Sequence, residues 1–309
     1  MQRHMANDDT HIVLPKDGRR FGLSEFGAPK GKPLFYFHGF PGSRLEARLV
    51  HEQACRQQIR LIAVDRPGYG QSAYQPGRRL AHWPRDIAAI ADTLKLDRFS
   101  VLGVSGGAPY AAACARFMPE RLITTGIVCG LAPLDEADLV RRLKGRDRRF
   151  VWLKKLPRPL YHLPLLLAGM AARRRPQRLL RLIAGTLPPL DRTVIMEREI
   201  RSLLASSLRE AFSQGSTGAF ADLCLYGESW GFALEEIRTP VLLWHGERDT
   251  VVPCAMGRFL AEKIPDCRGI FLADEGHFSL PLLQAETILT GLMNQDDLPP
   301  ADATGPVRG

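Results

Sequence analysis

The chain predicts an α/β fold: a mostly parallel, twisted sheet with helices on both faces. Three observations carry that prediction. Runs such as Pro33-Leu34-Phe35-Tyr36-Phe37, Arg60-Leu61-Ile62-Ala63-Val64 and Phe99-Ser100-Val101-Leu102 are near-continuously apolar, as in strands buried on both faces. These runs alternate with helical segments, and such alternation implies parallel strands joined by crossovers. Polar or glycine-rich clusters directly follow the strands, and open α/β sheets build their sites at those carboxyl ends.

Taken in order, Met1 to Thr10 is polar and is expected to be a mobile tail. His11 to Leu14 and Arg20 to Phe26 flank Lys16-Asp17-Gly18, a turn signal, and predict a hairpin. The strand Pro33–Phe37 leads into His38-Gly39-Phe40-Pro41-Gly42-Ser43-Arg44, followed by a helix from about Leu45 to Gln57. Arg60 to Asp65 is the next strand, before Arg66-Pro67-Gly68-Tyr69-Gly70-Gln71-Ser72. A helix near Trp83 to Leu94 precedes the strand Phe99–Val104, and Arg121 to Cys129 forms another. After a long helical insertion, Pro240–Trp244 is a strand before His245-Gly246-Glu247-Arg248-Asp249. Gly269–Ala273 is the last strand, before Asp274-Glu275-Gly276-His277, and a helix from about Pro281 to Met293 closes the fold. Asn294 to Gly309, rich in Asp, Pro and Gly, is expected to be disordered.

Composition narrows the function classes. The apolar share of 45% and charged share of 24% are those of an ordinary soluble globular protein. The N-terminus has no apolar core of a secretory signal. The longest apolar candidate, Leu160 to Ala172, is too short to span a bilayer and contains His162, Pro164 and Gly169. Six cysteines without a C-x-x-C pair indicate a reducing compartment, so a cytoplasmic location is expected. The eight histidines form no H-x-x-x-H or His/Cys cluster, so neither a metal nor a cofactor is expected.

The richest stretch is Gly103-Val104-Ser105-Gly106-Gly107, between the run ending at Val104 and the Ala-rich segment Ala111–Ala115. A turn sharp enough to lift one side chain clear of a sheet forces close backbone contacts, which residues without a Cβ relieve. Ser105 then stands at a helix N-terminus, where free N–H groups favour developing negative charge. Ser105 is therefore a candidate nucleophile.

The chain resembles the capped serine hydrolases of the α/β-hydrolase superfamily, which include proline iminopeptidases, carbon–carbon bond hydrolases and small esterases. The resemblance covers roughly Arg20 to Met293. It rests on His38-Gly39-Phe40-Pro41, Asp65 through Ser72, Gly103 through Gly107, Asp249 within Gly246-Glu247-Arg248-Asp249-Thr250-Val251-Val252-Pro253, and Gly276-His277. It implies an α/β-hydrolase core at 11–131 and 237–293 with a helical cap at 132–236. It also implies a triad of Ser105, Asp249 and His277, in the chain order expected of this fold. A serine hydroxyl needs a general base, and the resemblance puts it at His277; His38 is the main rival. The base needs a carboxylate to hold its tautomer. Asp249 is the choice, while Glu247, Asp274 and Glu275 are alternate partners and Asp65 suits a loop-bracing role. The oxyanion hole is expected to use the backbone N–H of Gly106 and, by the resemblance, that of Phe40. His38, Gly39, Gly103 and Gly107 would shape the site.

The cap is the segment least determined by the resemblance. From Arg141 to Arg181 it carries fourteen Lys or Arg and one acid, Asp147, a local charge of +13 in a chain of net +9, so the remainder carries −4. A solvated helix face accounts for such charge. Weak association with an anionic membrane surface, helped by Trp152 and Leu160–Leu167, is the functional alternative. No module for nucleic acid accompanies the charge. The expected partner is a small-molecule substrate; the sequence leaves the oligomeric state open. The expected reaction is hydrolysis of a small or medium ester, thioester, lactone or related carbonyl through an acyl-enzyme. The alternatives are a catalytically silent binding protein, a peripheral membrane lipase, or an aminopeptidase of the proline iminopeptidase type using Glu228, Glu235 or Glu236. Epoxide hydrolases and haloalkane dehalogenases resemble the fold but place an aspartate where this chain has Ser105.

Overall fold

The computed structural model describes residues 10–13, 18–149, 155, 157 and 159–294. Among these, eight strands form one sheet: β1 (Thr10–Val13), β2 (Arg20–Gly27), β3 (Lys32–Phe37), β4 (Ile59–Val64), β5 (Phe99–Val104), β6 (Leu122–Val128), β7 (Val241–Gly246) and β8 (Cys267–Leu272). Their order is β1-β2-β4-β3-β5-β6-β7-β8. β3 to β8 are parallel, and β2 runs antiparallel to both β1 and β4. The β1–β2 pairing is the predicted hairpin, whose turn residues 14–17 lie outside the described residues, as do the tails 1–9 and 295–309.

Both faces of the central parallel strands are covered, which is why these strands are mostly apolar. On one face α2 (Trp83–Thr93), α3 (Ala108–Phe117) and α10 (Cys254–Lys263) bury Trp83, Ile87, Phe259 and the alanines of α3 against Phe35, Phe37, Val101 and Leu243. On the other, a 3₁₀ turn (Arg44–Val50), α1 (His51–Arg56) and α12 (Ala285–Met293) pack Ala47, Ala54, Ile288 and Leu292 against Tyr36, Leu102 and Trp244.

Three of the shifts from the expected boundaries have a local reason. The single helix expected at Leu45–Gln57 is a 3₁₀ turn followed by α1; Ala47 and Val50, three residues apart, both face the core. β7 continues two residues beyond Trp244 because His245 and Gly246 still pair with Phe271 and Leu272. The closing helix is split at Gln284 into α11 (Ser279–Leu283) and α12, and starts earlier because the Asp191 carboxylate takes the Phe278 and Ser279 N–H groups.

Between β6 and β7 the chain runs through α4 (Ala137–Arg142), α5 (Pro159–Arg174), α6 (Pro176–Ala184), α7 (Pro189–Met196), α8 (Arg198–Ala211) and α9 (Thr217–Gly227). Of these, α5, α6, α8 and α9 share an apolar cluster in which Ala172, Leu180, Leu208 and Phe212 join Tyr69 from the loop after β4, while Leu139 of α4 packs in the main core. Trp230 and Phe232, left between core and pocket by the sequence, pack against the core layer of α3. Trp152 and several basic positions lie outside the described residues. No helix of the described residues is long and apolar enough to cross a membrane.

Candidate active site

Ser105 follows β5 with a backbone φ of +53°, opening a tight 3₁₀ turn, Ser105–Gly107, that leads into α3. Close approach is what requires the flanking glycines. A Cβ at Gly103 would lie 2.5 Å from the Gly107 carbonyl oxygen, and one at Gly107 would lie 2.2 Å from that of Phe37. The turn therefore packs directly on β3, and Ser105 is left 7% exposed in the wall of a cavity.

His277, in the loop after β8, lines the same cavity. Its Nδ1 lies 2.7 Å from Asp249 Oδ2. Asp249 Oδ1 accepts the N–H groups of Val251 and Val252, each at 2.8 Å, which fixes the carboxylate in its loop. Burial alone would push the His277 imidazole down. The adjacent Asp249 carboxylate, with Asp191 and Glu46 further off, instead holds it above the ordinary histidine value. Burial likewise opposes ionisation of Asp249, but His277 and His245 keep its carboxyl well below the usual range.

The alternate carboxylates are engaged elsewhere. Glu247 pairs with Arg258, Asp274 with Arg248 at 2.8 Å on the surface, and Glu275 accepts from Gln284 at 2.9 Å. Asp65 is buried and receives Arg44 through both its backbone N–H and its guanidinium, and the Gln71 N–H. His38 is fully buried, its Nε2 accepting the Arg66 N–H at 3.3 Å. Burial and then the Arg66 charge lower its pKa well below normal. Cys129, Asp249 and His277 have donor atoms within 4.8 Å of one another, a combination that could ligate a metal. Burial pushes that thiol well up, however, and Asp249 is committed to His277 and two amides.

The loop after β3 is held from two sides. Glu46 accepts the Gly39 N–H at 3.0 Å and the Tyr36 hydroxyl at 2.7 Å. Arg66 donates to the carbonyls of His38 and Gly39. Phe40, whose bond to Pro41 is cis, lies against Gly106: a Cβ built at Gly106 would fall 2.7 Å from the Phe40 Cβ.

Three side chains that sequence reasoning missed come from the segment between β6 and β7. Asp222 on α9 is fully buried and binds Arg66 at 2.8 Å, Arg78, and the hydroxyls of Tyr69 at 2.9 Å and Tyr110. Burial opposes its ionisation, but Arg66 and Arg78 keep it ionised far below the normal range. Tyr226, one turn on, donates to the Gly106 carbonyl at 2.8 Å. Asp191 on α7, also fully buried, accepts the N–H groups of His277, Phe278 and Ser279 at 2.9, 3.0 and 2.8 Å. Asp222 had a usable signal, being the one acid in an apolar helical stretch; Asp191, in the first turn of a helix led by Pro189, looks like ordinary dipole compensation.

The comparisons with known proteins agree with this architecture. A family model described as alpha/beta hydrolase fold matches residues 32–282. The chain belongs to that family and is an enzyme of the α/β-hydrolase type. It is 24% identical over 285 residues to a bifunctional esterase/perhydrolase of Acinetobacter calcoaceticus, covering 91% of this chain and 97% of that protein. It is 26% identical over 272 residues to a poly(3-hydroxyalkanoate) depolymerase of Ectopseudomonas oleovorans, covering 86% and 85%. Among solved structures, a thermophilic esterase from Thermogutta terrifontis superposes with a TM-score of 0.66 at 21% identity, covering 93% of this chain and 97% of that one.

Removing the Asp222 charge leaves two buried guanidiniums undercompensated. Asp222→Asn is expected to cost about 3–5 kcal/mol and to lower Tm by on the order of 10 °C, read by thermal unfolding followed by circular dichroism.

Proposed function

We propose that this chain is a serine hydrolase that cleaves carboxylic esters of apolar acids through an acyl-enzyme on Ser105. The observation that carries the reading is the 2.7 Å contact between His277 and Asp249, with His277 and Ser105 facing one cavity. His277 Nε2 takes the Ser105 hydroxyl proton as Oγ attacks the ester carbonyl, then gives it to the departing alcohol. Asp249 holds the Nδ1–H tautomer and stabilises the imidazolium. Water attacks the acyl-enzyme by the same proton route. The oxyanion donors would be the Gly106 and Phe40 N–H groups. Two details favour Phe40: the Gly39 N–H is spent on Glu46, and Pro41 has none. Two aligned donors at a water-poor site supply several kcal/mol of transition-state stabilisation.

The cavity supports the ester reading over its neighbours. Its volume is about 230 Å³, and no Lys or Arg is among its lining residues. A substrate carrying a carboxylate, as a carbon–carbon hydrolase would require, has no cation to meet there. Glu228, Glu235 and Glu236 are absent from the lining, and Glu235 and Glu236 pair with Lys263 and Arg116. The one acid in the wall, Glu46, already has Gly39 and Tyr36 as partners. An amine-binding site of the iminopeptidase type lacks support. The relatives named esterase and depolymerase point the same way. A silent binding protein would have no need of the buried Asp249–His277 pair.

A second reading, a peripheral lipase, is favoured by one observation. Leu160, Leu163 and Leu167 of α5 are 57%, 62% and 56% exposed, and Arg174 shares their helical face. An apolar stripe edged by cations suits an anionic bilayer surface.

Because the base must be neutral and its pKa is raised, kcat/KM should fall as pH drops through an apparent pKa above about 6.5. Asp249→Asn should cut kcat by on the order of 10⁴ and shift that limb to lower pH. Ser105→Ala should abolish hydrolysis of 4-nitrophenyl esters; equal rates in the mutant would refute the nucleophile. For the lipase reading, vesicles rich in phosphatidylglycerol should retain the wild type at low salt and Leu163→Asp far less. Equal retention on neutral vesicles, or none, rejects it.

A further inference from the structure

The cavity at Ser105 joins two apolar layers. Toward the segment between β6 and β7 its walls are Leu180, Leu204 and Leu208, of α6 and α8. In the opposite direction it enters the core layer between the sheet and α12, where its walls are Tyr36, Leu102, Val104, Val128, Ile288 and Leu289. The second arm has a regular construction. Tyr36 is in register with Leu102, and Val104 with Val128, so these four side chains form two successive levels on one face of the sheet. Ala285, Ile288 and Leu289 lie at i, i+3 and i+4 of α12, on one side of that helix, and face the strand levels across the gap. Leu102 is three strand residues back from Ser105, which sets the depth at roughly 10 Å.

Folded cores leave few voids larger than a water molecule, because unfilled walls forfeit contacts. An aliphatic channel in the core, open at a nucleophile, is a place for an apolar chain. We propose that this arm is the acyl subsite: a linear, unsubstituted aliphatic acyl chain lies between the β5–β6 levels and α12, and the alcohol leaves through the arm beneath α6 and α8. The inference rests on the serine-esterase reading and adds to it the substrate class, esters of medium-chain aliphatic acids, and the direction in which the chain lies. The polar groups at the channel mouth fit this direction. Tyr36 hydroxyl and Gly39 N–H are both turned to Glu46, so the wall offers an aliphatic chain no unmet donor from either group.

The test compares 4-nitrophenyl esters from acetate to dodecanoate at fixed alcohol, then alkyl acetates of rising length at fixed acyl group. Ala285→Leu narrows the arm and Ile288→Ala widens it. Ala285→Leu should lower the ratio of kcat/KM for decanoate over butyrate at least tenfold, Ile288→Ala should move the preferred acyl length upward, and neither should alter the ranking of alkyl acetates. A change confined to the alcohol series, or acyl profiles that superpose with the wild type, would overturn the assignment while leaving the esterase reading intact. A readout without turnover guards against a variant that folds but reacts poorly. Methyl decanoate, a neutral ester that Ser105→Ala cannot cleave, should raise the Tm of that variant and lose the effect in Ser105→Ala/Ala285→Leu; equal shifts in both, or none in either, contradict the subsite. Wild-type protein that cleaves no ester at all while binding methyl decanoate in this manner would instead overturn the reading on which the subsite rests.

Discussion

The structure depends on one buried carboxylate. Asp222 meets two guanidiniums and three tyrosine hydroxyls, those of Tyr69, Tyr110 and Tyr226, in a buried site. A lone charge there would be prohibitively costly, and either arginine alone equally so; together they are stable only as a set. The set also spans the molecule. Arg66 and Tyr69 belong to the loop after β4, Arg78 lies before α2, Tyr110 is on α3, and Asp222 is on α9 of the insertion. Arg66 then reaches the carbonyls of His38 and Gly39, and Tyr226 reaches that of Gly106. The Gly39–Phe40 peptide, proposed to carry one oxyanion donor, is thus held from behind by this charge cluster, and Tyr226 holds the Gly106–Gly107 peptide next to the other donor.

A second buried carboxylate does the same for the histidine. Asp191 accepts three consecutive N–H groups starting at His277, so the loop after β8 is capped by a helix from the insertion. Arg149 donates to the carbonyls of Thr250 and Val251, in the loop that carries Asp249. Segments from the insertion therefore brace the loops after β5, β7 and β8, and reach the loop after β3 through Ser207 Oγ, which accepts the Ser43 N–H at 3.0 Å. Pre-organised dipoles and fixed loops are the means by which such sites stabilise a transition state without paying for reorganisation during the reaction. In this account the insertion does more than roof the cavity.

Much of this was legible in the sequence. Strand runs buried on both faces have no polar alternation, which made β3, β4 and β5 readable, and the serine elbow declared itself through glycines whose Cβ positions are filled by backbone. The family resemblance, with their places after strands, marks Asp249 and His277, and the structure brings them within 2.7 Å. What stayed hidden were relations rather than residues. Glu46 looks like a first-turn helix acid, yet it turns back to Gly39 and Tyr36. Asp191 and Asp222 act on loops 86 and 156 residues away in sequence, a distance over which neither periodicity nor local motif carries information. The split closing helix was invisible for the same reason: its cap is supplied from α7.

The most direct measurement of the central claim is intact-mass and peptide-mapping spectrometry after incubation with an alkyl fluorophosphonate. That reagent phosphonylates a serine only where a base removes its proton and donors receive the developing oxyanion charge. A single adduct on Ser105 is expected, formed slowly in Asp249→Asn and not at all in Ser105→Ala. An unmodified protein, or an adduct on another residue that persists in Ser105→Ala, would contradict it.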